Sequence, residues 1–108
     1  MLTNGDFLVN DYDGAYGSPT YREYYGFNAP VGKTPGTLVA GGLQIDLSIF
    51  GLSHGTGVTM SPDGKSLYFV TGVDSRYQTL VQTDLSGNLL GTQPINITTI
   101  EGIAVVPQ

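Results

Sequence analysis

The residues best suited to hold a ligand lie in a polar loop near the start of the chain. Its sequence NDYDG places Asp11 and Asp13 on either side of Tyr12, directly ahead of Gly14. Alternating oxygen ligands on a loop that a glycine kinks are suited to calcium. The loop lacks a full DxDxDG run and the distant glutamate of an EF-hand, and an ordinary Asx-rich turn accounts for the same residues. No cofactor is required, and calcium is the divalent cation that this loop would accept.

Five tyrosines crowd the same region, between residues 12 and 25. Aromatic rings beside Asp and Asn are typical of sugar-binding surfaces, because the rings stack on C–H faces and the polar groups take hydroxyls. Tyr21, Tyr25 and Phe27 share one face of a predicted strand, which favours packing between layers of the fold. The tyrosines of the loop are better placed for a carbohydrate or another extracellular ligand. The predicted ligand-binding residues are Tyr12, Tyr16, Asp11 and Asp13.

Motifs of nucleophilic or metal-dependent catalysis are missing from the sequence. It contains a single histidine and no cysteine. It has no GxSxG elbow, no phosphate-binding glycine loop and no HExxH pair, which are the short patterns that place a nucleophile, a nucleotide or a zinc ion. The sequence therefore leans away from an enzyme and towards a structural or binding module.

The charge and composition of the chain exclude some partners and favour one kind of compartment. Its 108 residues carry a net charge of −5 with only four scattered basic residues, so nucleic-acid binding is not expected. No apolar run approaches the roughly 18 residues that span a bilayer. Sixteen glycines and seven tyrosines are typical of a turn-rich, all-β protein, and they favour an extracellular or periplasmic location.

The loop must be carried by β-structure, because the best-defined stretch of the chain is a β-hairpin at residues 55–73. Apolar and polar residues alternate before its turn, as in a half-buried strand. Pro62 and Gly64 suit a tight turn, since proline presets a negative φ and glycine accepts a positive one. The β-branched and aromatic run SLYFV over 66–70 predicts the second strand.

Short alternating runs separated by turn signals continue along the chain and predict about eight strands. No amphipathic helix is expected. The segment 43–50, LQIDLSIF, alternates strictly and is either a strand or a segment that crosses the core. The chain is therefore predicted to be all-β. The predicted strands are 5–9, 21–27, 37–40, 57–61, 66–70, 76–83, 88–92 and 100–106.

Two parts of the chain repeat at an interval of 45 residues. Gly57 to Pro62 and Gly102 to Pro107 match in their glycine, their apolar positions and their proline. The pair Asp63-Gly64 ahead of one strand likewise resembles Asn4-Gly5 ahead of another. An interval of this size is that of a four-stranded β-propeller blade. We therefore predict two four-stranded blades per chain, cut between the first and second strand: blade 1 at about 4–50, its inner strand at 100–107, and blade 2 at about 55–98.

The patterns GVTMSPDGKSLYFV and EGIAVVP resemble blade repeats of bacterial six- and seven-bladed β-propellers. Similar repeats occur in the NHL, YVTN and gluconolactonase-like families, and in esterase-like phytase domains, where EGIA at the inner strand is common. The resemblance covers mainly residues 55–107, and the first blade departs from it in the long loop after its first strand. It implies a propeller fold, and phytase-like activity would further imply acidic residues around a metal.

Two blades cannot close a propeller alone, because propellers have typically 4–8 blades. They leave two blade faces and two strand edges uncovered, which favours association. In a ring of identical chains, the inner strand 100–107 of each chain would complete the first blade of the next by strand exchange. Three copies give six blades and four give eight, and we favour the trimer. The alternatives are an open filament, a fragment of a longer propeller, or an engineered unit.

Such a ring would place a second candidate site at the mouth of its central channel. Glu101 directly precedes the inner strand, and His54 holds a matching position ahead of the other blade. Carboxylates and imidazoles that converge on an axis bind divalent cations. The alternative function is therefore a metal-dependent hydrolase or lactonase with its site at these two residues, against a solvated glutamate and an ordinary turn histidine.

Overall fold

The computed structural model of the chain describes residues 1–10, 18–72, 78–95, 103, 104 and 106. These residues form two antiparallel β-sheets and one short 3-10 helix over Leu47–Phe50. The prediction of an all-β chain is confirmed. No helix in these ranges is long and apolar enough to cross a membrane. The strands are β1 (Phe7–Asn10), β2 (Thr20–Tyr24), β3 (Gln44–Asp46), β4 (Gly55–Met60), β5 (Ser66–Thr71), β6 (Gln78–Asp84) and β7 (Leu89–Ile95).

The second half of the chain forms a four-stranded sheet in chain order, β4-β5-β6-β7. All four strands predicted between residues 57 and 92 are present, with limits that differ by at most three residues from those expected. β5 is an interior strand, and Leu67, Phe69 and Val70 are all buried, so apolar residues occupy both of its faces. A continuous apolar run is typical of a strand that is covered on both sides.

The turn between β4 and β5 has the backbone conformation that its residues predict, and hydrogen bonds hold it in place. Gly64 has a φ of 72°, and its N–H donates to the carbonyl of Ser61 at 2.9 Å. Asp63 Oδ1 accepts the hydroxyl of Ser61 at 2.6 Å and the N–H of Lys65 at 3.0 Å. The aspartate therefore stabilises the turn by accepting hydrogen bonds from two of its residues. Glycine supplies the left-handed backbone conformation, which is unfavourable for residues with a side chain.

The turn that precedes β1 has the same construction. Gly5 has a φ of 89°, and its N–H donates to the carbonyl of Leu2 at 3.0 Å. Asn4 Oδ1 accepts the N–H of Asp6 at 2.9 Å, which is the role that the aspartate plays in the turn before β5. The correspondence between the two Asx-Gly pairs therefore extends from their sequence to their hydrogen bonds.

The first half of the chain forms a three-stranded sheet, β1-β2-β3, and here one predicted strand is wrong. Residues 37–40 do not form a strand, and Leu38 makes only a single bridge to Tyr24. Gly36 and Gly41 both have positive φ values, 85° and 72°, so the chain turns at each end of this segment. The third strand is β3, six residues further along the chain than expected.

The strict alternation over 43–50 also ends earlier than the pattern suggests. Asp46 caps the 3-10 helix, because its Oδ1 accepts the N–H of Ser48 at 2.9 Å and the hydroxyl of Ser48 at 2.6 Å. Ile45 in β3 is buried, whereas Ile49 in the helix is 73% exposed. A capping aspartate therefore converts an alternating segment into a short strand followed by a helical turn.

The two sheets pack face to face and share one hydrophobic core. The rings of Tyr21 and Phe69 meet across the interface with their centroids 4.7 Å apart. At the edge of the core, Asn10 Nδ2 donates to the carbonyl of Gly55 at 2.5 Å, which ties the end of β1 to the start of β4. The buried core residues are Tyr21, Ile45 and Leu47 from the first half of the chain, and Leu67, Phe69 and Val81 from the second.

The predicted inner strand of the first blade, 100–107, falls mostly outside the described residues. Ile103, Ala104 and Val106 are described, and none of the three is assigned to a strand. Val106 is 73% exposed. Completion of the first sheet by this segment therefore stays a prediction.

We expect the protein to lose stability as the pH falls below about 4, because turn aspartates are stabilised in their charged form. A carboxyl group whose pKa in the folded protein lies below its ordinary value of 3.8 stabilises the fold above that pH. This contribution disappears as the pH falls through the folded pKa. The pKa is lowered in this way for several aspartates of the described residues. In each of them the largest effect comes from one side chain: Glu23 for Asp6, Ser48 for Asp46, Ser61 for Asp63 and Asn88 for Asp84.

Urea unfolding at pH 7 and at pH 3 measures this dependence. The midpoint should move to a lower urea concentration at pH 3. Asp63→Asn and Asp84→Asn together keep side-chain acceptors but remove two of the charges, and should flatten the dependence. Equal midpoints at the two pH values would show that these turns gain nothing from the charged form.

Candidate functional site

The predicted ligand loop lies outside the part of the chain that the structure describes. Asp11, Tyr12, Asp13 and Tyr16 all belong to the segment 11–17, so their assignment stays a prediction. The loop begins directly after Asn10, the last residue of β1. The hydrogen bond from Asn10 to the β4 backbone therefore sets where the loop leaves the fold.

The predicted cation ligand His54 lies directly ahead of β4, and its partner Glu101 is outside the described residues. His54 has a φ of 55°, which is uncommon for a residue other than glycine. The N–H of Gly72 donates to the carbonyls of both Ser53 and His54, at 2.7 and 2.8 Å, and stabilises this conformation. The described residues bring no group of three His, Asp or Glu side chains together around a metal position.

A buried carboxylate, Glu23 on β2, is a feature that sequence reasoning missed. It is 9% exposed. Its Oε1 accepts the N–H of Leu43 at 2.9 Å, and its Oε2 accepts the amide of Asn4 at 3.1 Å. The Glu23 side chain is also the largest cause of the lowered pKa of Asp6, ahead of the N–H that Gly26 donates to Asp6. The carboxylate ties the turn before β1 to the loop before β3, so its role here is structural. The sequence does contain a signal for this burial: Glu23 lies two residues after Tyr21 in YREYY, so the two side chains share one face of the strand.

Phe27 was expected to pack on the same face as Tyr21, and this expectation is wrong. β2 ends at Tyr24, and the chain turns before Phe27, which is 86% exposed. The Phe27 ring contacts Phe7 edge to face, with centroids 5.9 Å apart and planes at 86°. Phe7 pairs with Tyr24 in the sheet, so this aromatic pair lies on the side away from the core.

The outer side of the three-stranded sheet carries an uncovered apolar surface. Phe7 and Tyr24 are cross-strand partners, and Leu38 bridges to Tyr24 from the other side. Leu38 is 47% exposed, and Phe27 stands beside Phe7 as the most exposed of the group. We call this surface the Phe27 face, defined by Phe7, Tyr24, Phe27 and Leu38.

The outer side of the four-stranded sheet carries a groove of about 190 Å³. Tyr68, Gln82 and Gly91 are register partners in one cross-strand row, which alternates with the row of Phe69 and therefore faces away from the core. A Cβ placed on Gly91 would have no atom within 4 Å, so the glycine leaves open space. We call this surface the Gly91 groove, lined by Tyr68, Leu80, Gln82, Gly91, Thr92 and Gln93.

The free edge of β1 is a third uncovered feature. Within the described part of the chain, β1 pairs on one side only, with β2. Its sequence FLVN has no charge and no proline, the devices that usually protect an edge strand from pairing with another chain. The outermost strand of the other sheet, β7, does contain a proline, Pro94. The edge of β1 is therefore suited to accept an added strand.

These three features are the structural basis for inferring a function. No protein-family model, curated protein or solved structure matches this chain. Both uncovered faces are apolar or neutral, which suits a macromolecular surface better than an ion. What the chain does must be inferred from the way its own surfaces could be covered.

Proposed function

We propose that this chain is a self-assembling β-propeller unit, a structural and binding module whose copies close into one ring. Each chain would contribute two blades, the three-stranded sheet and the four-stranded sheet. The segment 100–107 of one chain would add to the edge of β1 in the next chain as its missing inner strand. The resemblance of the sequence to bacterial propeller repeats supports the same proposal.

The unprotected edge of β1 is the observation that carries this proposal. In the four-stranded sheet, β4 precedes an Asx-Gly turn and pairs with β5. The equivalent turn at Asn4-Gly5 precedes β1, but no described strand occupies the position that β4 has beside β5. The sequence pattern of β4 and its turn, Gly57–Pro62, recurs at Gly102–Pro107. The sequence pattern of the required strand therefore recurs at the other end of the chain.

A ring would also display one ligand loop per chain around a common axis. Repeated weak sites on a rigid ring raise avidity for a multivalent ligand. We therefore propose a carbohydrate or similar extracellular ligand, bound through Tyr12 and Tyr16 with Asp11 and Asp13. Glu101 and His54 would lie at the channel mouth of the same ring, where a divalent cation, and with it a hydrolase or lactonase activity, remains the alternative.

The absolute mass of the protein in solution tests the assembly. Light scattering on a sizing column should give three times, or four times, the chain mass of 11.4 kDa, at a value that does not rise with protein concentration because the ring is closed. A chain that ends at residue 99 lacks the exchanged strand and should elute as a monomer. A monomeric full-length chain would contradict the proposal, and material in the void volume would indicate an open filament.

A further inference from the structure

We propose that the Gly91 groove of one chain receives the Phe27 face of a second copy. This inference rests on the proposed ring, and it names the two surfaces that would meet where one chain follows the next. The interface is head-to-tail, because the two surfaces are different parts of the chain. Such contacts close into a ring when the rotation between copies allows it.

The shapes of the two surfaces are complementary. The Gly91 groove is a recess of about 190 Å³ in an otherwise flat sheet. Its floor is ordered, since Gln82 Nε2 donates to Ser66 Oγ at 3.1 Å. On the other surface, Phe27 projects with 86% of its area exposed and leans on Phe7. An aromatic anchor that enters a pre-formed recess is the usual centre of a protein interface.

The Phe27 anchor is also held in place before binding. The preceding Gly26 donates its N–H to Asp6 Oδ1 at 3.0 Å. The backbone of Gly26 lies so close to Gly5 that a Cβ at this position would be 1.9 Å from the Gly5 carbonyl oxygen. Little freedom would be lost when the ring of Phe27 is buried, which favours binding.

The charge distribution favours a second copy as the occupant. The chain carries a net charge of −5, so two copies repel each other unless their contact surfaces lack carboxylates. None of the residues that line the groove is charged. None of the four residues that define the Phe27 face is charged either, and the charged groups beside this face are of both signs, Arg22 in β2 and the Asp6 carboxylate that accepts the N–H of Gly26. Interface centres are depleted of charge and enriched in aromatic residues in the same way.

The length of the chain beyond β7 places the two surfaces next to each other. Four residues, 96–99, separate the end of β7 from the predicted strand at 100–107. They span at most about 14 Å when fully extended. Stacked sheets lie about 10 Å apart. If a four-stranded sheet donates its tail to the β1 of a second copy, this short connection keeps it close to that copy's three-stranded sheet, at a distance compatible with stacking.

Filling the groove tests the inference. Gly91→Tyr places a ring in the open recess, on a strand whose side chains are exposed, and should reduce the assembled mass to that of one chain, 11.4 kDa. Leu90→Tyr is the matched control, since Leu90 is 56% exposed and does not line the groove; it should keep the wild-type mass. Far-UV circular dichroism reports whether each variant is folded.

Removing the anchor tests the opposite surface without adding bulk. Phe27→Ser should also give single chains, whereas Val31→Ser, at a fully exposed position in the following loop, should not change the mass. Mixing folded Gly91→Tyr and Phe27→Ser chains should restore one intact interface per pair, and therefore a dimer. A dimer in this mixture would show that both variants are folded and that each has lost assembly through one surface only.

The outcomes separate this inference from the ring itself. A wild-type protein of 11.4 kDa would overturn both. A wild-type ring that persists in Gly91→Tyr and in Phe27→Ser would leave strand exchange standing and overturn the docking of these two surfaces. Loss of the ring in the two variants but not in their controls, with a dimer in the mixture, would establish the docking.

Discussion

Replacing Ile45 by alanine should lower the free energy of unfolding by about 2–5 kcal/mol, the range for deleting a buried isoleucine. Ile45 is 1% exposed and lies in β3, between Tyr21 of the neighbouring strand and the turn at Gly87. A cavity here would separate the two sheets at their shared core. A small domain has only about 5–15 kcal/mol of stability in total, so the variant should be close to unfolding.

Ile49→Ala is the matched control for this experiment. It makes the same chemical change four residues further along, at a position that is 73% exposed. Its effect should stay within about 0.5 kcal/mol, as for most surface substitutions. Urea unfolding followed by tyrosine fluorescence at one protein concentration measures both variants. Equal losses would mean that the alternating pattern over 43–50 continues inward past Asp46, contrary to the structure.

Replacing Gly26 by alanine should cost about 3 kcal/mol or more, because the new methyl group has no room. A Cβ at this position would lie 1.9 Å from the carbonyl oxygen of Gly5 and 2.9 Å from its carbonyl carbon. Both are backbone atoms, so no side chain can rotate away to relieve the contact. The backbone must move instead, and the hydrogen bond from Gly26 to Asp6 would be broken with it.

Gly91→Ala separates this steric effect from the general effect of replacing a glycine. The position has ordinary backbone angles and open space around the added methyl group. Alanine should therefore be neutral or slightly stabilising there, since it restricts the unfolded chain. A Gly26→Ala variant as stable as Gly91→Ala would mean that the turn before β1 does not pack against the end of β2.

Much of the second sheet could be predicted from local chemistry. The turn at Asp63-Gly64 combines a capping carboxylate with a residue that accepts positive φ, and these preferences act over four residues. The run SLYFV is rich in β-branched and aromatic residues, and two of them, Phe69 and Val70, are buried in β5. Neither signal depends on distant parts of the chain, so both could be recognised without the structure.

The first sheet was harder, because its third strand is chosen by packing. The segments 37–40 and 43–50 were both candidate strands, and only the second brings a buried side chain, Ile45, against Tyr21. The segment 37–40 pairs only briefly with the end of β2, through the bridge from Leu38 to Tyr24, because glycines with positive φ turn the chain on either side of it. Alternation shows which residues share a face, but it does not show which segment the neighbouring strand will accept.

The candidate site was likewise predictable only in part. The ligand loop and the pair of Glu101 and His54 were predicted by residue type, and the loop and Glu101 lie outside the described residues. The prediction that two blades would leave faces uncovered came from the predicted strand count. The exposure of Phe27 depends on where β2 ends. The recess at Gly91 depends on how β7 pairs with β6. Neither could be read from the sequence.

The sequence by itself determined that this chain is all-β, where its best turns lie and that it carries one strand pattern twice. These properties follow from backbone preferences of single residues and short patterns, which are local. Only the tertiary structure decided that Glu23 is buried and hydrogen-bonded and that Phe27 is exposed. It also decided that Ile45 is buried whereas Ile49 is exposed. Burial depends on what covers a face, and the covering residues come from strands that are distant in the chain.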